Sequence, residues 1–83
     1  MKVYNQDLVL YYFPSCPYCK KVIKFLDKYD IEIKMKNIQK DKVADKELVD
    51  IGGKRQVPCL FIEGQPLYES NDIIAWFKNN YLN

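Results

Sequence analysis

Histidine is absent from this chain of 83 residues, and that gap removes a whole class of chemistry. Without an imidazole there is no Ser–His or Cys–His pair, so a reactive thiol must be activated by electrostatics alone. Cysteine is scarce and odd in number, at three. An odd count in so short a chain does not build a disulfide framework. It also falls short of the four Cys or His ligands that a structural zinc site needs, so no metal is expected. No apolar run approaches the roughly 18 residues of a membrane span. The stretch Met1 to Asp7 has neither the basic start nor the apolar core of a secretion signal, which makes the cytoplasm the expected location. Neither sign of charge dominates: 13 basic and 11 acidic side chains, mixed along the chain, leave a net +2. A nucleic-acid binder would need Lys and Arg gathered on one face. Lys20, Lys21, Lys24 and Lys28 come nearest to that, and at this spacing they read as the solvated face of a helix.

What is present is enough for a folded core. Hydrophobic residues make up 48% of the chain and aromatic residues 14%, which excludes a disordered segment. The length suits one domain, 1–83, and a domain of this size buries only about 60% of its unfolded surface.

The hydrophobic pattern lays out the elements in order. Leu8 to Phe13 is a continuous apolar run, as in a strand buried on both faces. Pro14-Ser15 breaks it. Cys19, Val22, Ile23, Leu26 and Tyr29 then recur at helical spacing. The alternation from Ile31 to Lys36 predicts a strand with one buried face. Within Gln39 to Asp50 and just beyond it, Ala44, Leu48 and Ile51 form the stripe of a second helix, ended by Gly52-Gly53. Cys59 to Ile62 is the next strand, and Glu63-Gly64 resembles a two-residue hairpin turn. Pro66 marks the return strand, Gln65 to Tyr68, as a sheet edge. Ser70, Asn71 or Asp72 is placed to cap a last helix carrying Ile73, Ile74, Phe77 and Tyr81. The order is β-α-β-α-β-β-α. It predicts an α/β fold with a four-stranded mixed sheet and helices on both faces.

The chemistry concentrates in Cys16-Pro17-Tyr18-Cys19. Proline suits the first helical position, where its missing N–H has no partner to lose. Cys16 then stands at the helix cap and Cys19 one turn in, on the same face, within reach of a short disulfide. Free N–H groups and the positive end of the helix dipole favour a thiolate at Cys16, the attacking sulfur. Cys19, under the first turn, is the resolving thiol.

These residues resemble the glutaredoxin family. Cys16-Pro17-Tyr18-Cys19 matches the dithiol glutaredoxin motif, and Val57-Pro58 resembles the family's cis-proline pair. The resemblance implies a thioredoxin-like fold and thiol–disulfide exchange in cell redox homeostasis. It also implies glutathione as co-substrate, with Tyr18, Val57 and Pro58 as contacts. Disulfide-containing or glutathionylated proteins are the implied partners, and a monomer is the implied state. The C-terminal third, Leu67 to Ile74, instead resembles the N-terminal domain of glutathione S-transferases, where a Glu-Ser pair grips the γ-glutamyl end of glutathione. That resemblance implies the same role for Glu69 and Ser70. A helix start with a serine suits a carboxylate, and Glu69 suits an ammonium.

Phe13 stands where many glutaredoxins carry a lysine that meets the glycine carboxylate of glutathione. Lys54, Arg55 and Lys20 are the available substitutes. Two other functions remain beside the glutathione-dependent one. One is a redoxin reduced by thioredoxin reductase; the other is a non-catalytic carrier of glutathione or an iron–sulfur cluster. Cys59, after the proline, reads as a buried packing thiol.

Overall fold

The computed structural model describes residues 7–81, and the stretch read above for a secretion signal lies, but for Asp7, outside them. Its elements follow the expected order: β1 (Leu8–Tyr12), α1 (Pro17–Lys28), β2 (Lys34–Asn37), α2 (Lys42–Gly52), β3 (Cys59–Ile62), β4 (Gln65–Tyr68) and α3 (Ser70–Tyr81). The four strands form one sheet in the order β2-β1-β3-β4. β1 runs parallel to β2 and antiparallel to β3, and β3 runs antiparallel to β4. The sheet is therefore mixed, and β4, with Pro66, lies on its edge.

Alternation along the strands divides the core in two. Leu8, Leu10 and Leu60 point to one face, where they pack with Val22 and Leu26 of α1 and Ile73, Phe77 and Tyr81 of α3. Tyr11, Cys59 and Phe61 point to the other face and meet Ala44 and Leu48 of α2. Helices cover both faces, which is the thioredoxin-like arrangement. Because both faces are covered, β1 reads as an unbroken apolar run rather than an alternating one.

Local chemistry sets the boundaries. Asp41 caps α2, its Oδ1 accepting the N–H groups of Val43 and Ala44 at 3.0 and 3.1 Å. Gly53 ends that helix in the left-handed region at φ 90°, its N–H donating to the Val49 carbonyl. Glu63 and Gly64 both have positive φ, 49° and 85°, as a tight two-residue hairpin requires.

The structure corrects the pattern in three places. Ile31 is buried, but the strand begins only at Lys34, because pairing with β1 starts at Val9↔Lys34. Ile51, expected on the buried stripe of α2, is 55% exposed. The last helix has Ser70 as its first residue. Glu69 stands before it with φ 73°, and its carbonyl accepts the Ile73 N–H, so none of Ser70, Asn71 and Asp72 is the cap.

Candidate active site

Cys16 precedes a proline, and that alone biases its backbone away from the helical region. A helix cap requires the same extended geometry. The two preferences coincide, and Cys16 is the N-cap of α1 at φ −77°, ψ 119°, with Pro17 opening the helix. Its Sγ accepts the Cys19 N–H at 3.3 Å, so a backbone donor at the helix start is aimed at the sulfur. The Cys16 thiol in turn faces the Val57 carbonyl at 3.9 Å. Cys16 is buried at 6% exposure, whereas Cys19 and Cys59 have none.

Cys19 differs sharply. It is wholly buried, and burial pushes its thiol up to about 12, with further contributions from the hydrogen bond and charge of Cys16. Cys19 thus stays protonated at neutral pH. The contribution from Cys16 disappears once Cys16 is tied up in a disulfide, which eases ionisation of Cys19 when its turn to attack comes. Both cysteines, like Cys59, carry free thiols.

A groove of about 610 Å³ lies next to Cys16; neither Cys16 nor Cys19 lines it, but Val57, whose carbonyl faces the Cys16 thiol, does. Every residue proposed for glutathione contact lines it: Tyr18, Val57, Pro58, Glu69 and Ser70. Tyr18, 64% exposed, forms the rim on α1. The Val57–Pro58 bond is cis, and Val57 connects the thiol to the groove, since its carbonyl faces Cys16. Glu69 and Ser70 supply the opposite wall at the start of α3. Glu69 adopts a left-handed backbone conformation that a non-glycine residue takes only at some cost, a feature that clusters at ligand sites.

Three lining residues were not proposed as contacts. Asn71 and Asp72 follow Ser70 on α3, and Gln56 precedes Val57. Gln56 Nε2 donates to Glu69 Oε1 at 3.0 Å and so bridges the two walls. Its position next to Val57-Pro58 was the available signal. Asn71 Oδ1 accepts from Lys21 Nζ, tying α3 to α1 at the groove's end.

The candidate carboxylate partners separate clearly. Arg55 Nε is paired with Asp45 Oδ1 at 2.8 Å, and Lys54 Nζ lies over the Tyr68 ring, 4.6 Å from its centroid. Neither lines the groove. Lys20 is exposed on α1, two residues beyond Tyr18. Phe13 packs against the α2 side of the core. Cys59 is wholly buried, and burial pushes its thiol up to about 11, as expected of a packing residue. Among the described residues, no group of three or more His, Cys, Asp or Glu is placed to hold a metal ion. No helix among them is long and apolar enough to cross a membrane.

Comparison with known proteins agrees with this geometry. A family model described as Glutaredoxin matches residues 8–67. Glutaredoxin 1 of Rickettsia prowazekii is 31% identical over 78 residues, covering 90% of this chain and 81% of that protein. Among solved structures, oxidised glutaredoxin 2 of Chlamydomonas reinhardtii is 27% identical with a TM-score of 0.68, over 93% of this chain and 76% of its own. Glutathione transferase Omega 3C of Trametes versicolor superposes with a TM-score of 0.79 at 27% identity, over 96% of this chain. This chain spans only 34% of that transferase. With a matching family model over residues 8–67 and a relative 31% identical over most of both chains, the chain belongs to the glutaredoxin family, and that kinship supports a thiol–disulfide oxidoreductase role.

Proposed function

We propose that the protein is a glutathione-dependent oxidoreductase acting on protein–glutathione mixed disulfides and on protein disulfides. The observation that carries this reading is the groove beside Cys16, in which Val57, Glu69 and Ser70 converge. Val57 offers backbone groups to a peptide. Glu69 offers a carboxylate for an ammonium. Ser70 and the first N–H groups of α3 offer donors for a carboxylate. Glutathione carries an ammonium and a carboxylate on its γ-glutamyl end, a peptide backbone in the middle and a thiol that must meet Cys16.

In the first step the Cys16 thiolate attacks the glutathione sulfur of a mixed disulfide. The sulfur–sulfur bond breaks, the substrate leaves as a thiolate that takes up a proton, and glutathione remains bound to Cys16. A second glutathione thiolate then attacks that bond, freeing Cys16 and releasing oxidised glutathione. With a protein disulfide as substrate, Cys16 forms a mixed disulfide with the substrate. Cys19 attacks it, and the substrate departs reduced from a Cys16–Cys19 disulfide. Two glutathione molecules restore the dithiol.

Turnover of a glutathionylated substrate, measured with glutathione and glutathione reductase and separately with thioredoxin reductase, tests the donor. The proposal expects turnover with glutathione. Turnover with thioredoxin reductase alone would replace it with the redoxin reading that Phe13 suggests.

A further inference from the structure

One wall of the groove is carried by the chain that crosses from α2 to β3, and this crossing is hydrogen-bonded to a residue outside the groove. Tyr68 is the last residue of β4 and lies opposite Cys59 in the sheet. Its hydroxyl donates to the Lys54 carbonyl at 2.9 Å, and Lys54 Nζ sits over its ring. The hydroxyl has room because position 52 is glycine. A Cβ on Gly52 would run into the Tyr68 oxygen, whereas the nearest carbons, on the Tyr68 and Phe61 rings, would lie at 3.4 and 3.6 Å, at or near ordinary contact distance. Gly52 is not among the glycines with positive φ; Gly53, at φ 90°, supplies the left-handed turn. Backbone conformation therefore does not require glycine at 52. The Tyr68 hydroxyl does.

Two residues beyond Lys54 the chain presents Gln56, then Val57, to the groove. Two residues before Ser70, Tyr68 is bonded directly to Glu69 on the other wall. Tyr68 thus stands at the joint between the walls. We propose that Tyr68 is a positioning residue for the groove, its hydroxyl holding the 53–57 crossing against β4 so that Gln56 and Val57 face Glu69, with Gly52 admitting that hydroxyl. As a statement about ligand binding, this rests on the reading of the groove as a glutathione site.

Tyr68→Phe keeps the ring and deletes only the donor. Loss of one hydrogen bond of ordinary net strength predicts a rise of about three- to tenfold in KM for glutathione, with kcat changed less than about twofold, because Cys16 and Cys19 are untouched. The backbone order parameters of Gln56 and Val57, measured by NMR relaxation without glutathione, should fall below those of the wild type, because the crossing loses its tether. Gly52→Ala should reproduce both effects in the wild-type chain and add nothing to them in the Tyr68→Phe chain. Unchanged KM and unchanged order parameters in Tyr68→Phe overturn the proposal and leave the glutathione reading intact. A lower thermal midpoint with wild-type KM and wild-type order parameters at Gln56 and Val57 overturns it too, since that marks a merely structural residue. A wild-type protein that shows no saturation with glutathione overturns the glutathione reading instead, and the order parameters then decide the role of Tyr68.

Discussion

Two of the three thiols are wholly buried, and their burial links stability to alkaline pH. Cys19 is pushed up to about 12 and Cys59 to about 11, in both cases chiefly by desolvation. In the unfolded chain both return to the ordinary thiol value of about 8.5. Above that value the unfolded state has lost protons that the folded state still holds, so stability falls as pH rises. Below it both states keep the proton and the thiols contribute no slope. Between about pH 8.5 and 9.5 each buried thiol removes about 1 kcal/mol, approaching a limiting slope of about 1.4 kcal/mol per pH unit. The pair together therefore removes about 2 kcal/mol, a large share of the roughly 4–12 kcal/mol that a domain of this length possesses. Urea denaturation of the fully reduced protein across this range reads the loss directly. Cys59→Ala should lower stability at neutral pH but halve the alkaline slope, and adding Cys19→Ala should remove most of what is left. An alkaline slope in the double variant equal to that of the wild type would refute the assignment of the loss to these thiols.

Two further predictions bear on the site. Cys19→Ser should retain removal of glutathione from mixed disulfides and lose reduction of protein disulfides, read by parallel assays on the two substrate types, because only the second needs a resolving thiol. Glu69→Gln keeps the shape of the groove wall but removes the charge that faces an ammonium. KM for glutathione should rise about tenfold or more, as for a lost charged hydrogen bond, while analogues lacking the α-amino group should bind equally to both forms.

Local chemistry was legible from the sequence, and tertiary choices were less so. The start of α1 could be read because Cys16-Pro17 encodes both an extended residue and a first helical one. The hairpin at Glu63-Gly64 and the edge position of Pro66 were equally local. The start of β2 was not, because alternation from Ile31 cannot show where parallel pairing with β1 begins. Glu69 is the clearest case of the limit. Ser70, Asn71 and Asp72 all have cap-forming side chains, yet the chain places Glu69 before the helix in a costly conformation and leaves Ser70 to line the groove. No residue preference predicts that arrangement, since the turn from the edge strand into α3 decides it. The role of Gln56 is hidden for a similar reason: its bond to Glu69 spans 13 residues and exists only once the two walls meet.

In the proposed cycle Cys16 carries glutathione as a covalent intermediate beside its groove. The direct measurement is titration of the oxidised protein with glutathione, trapping with acid, and mass spectrometry with peptide mapping. The account predicts a population carrying one glutathione on Cys16, growing as glutathione rises and giving way to the free dithiol. A Cys16–Cys19 disulfide that persists at every ratio of glutathione, with no adduct on Cys16, would contradict it.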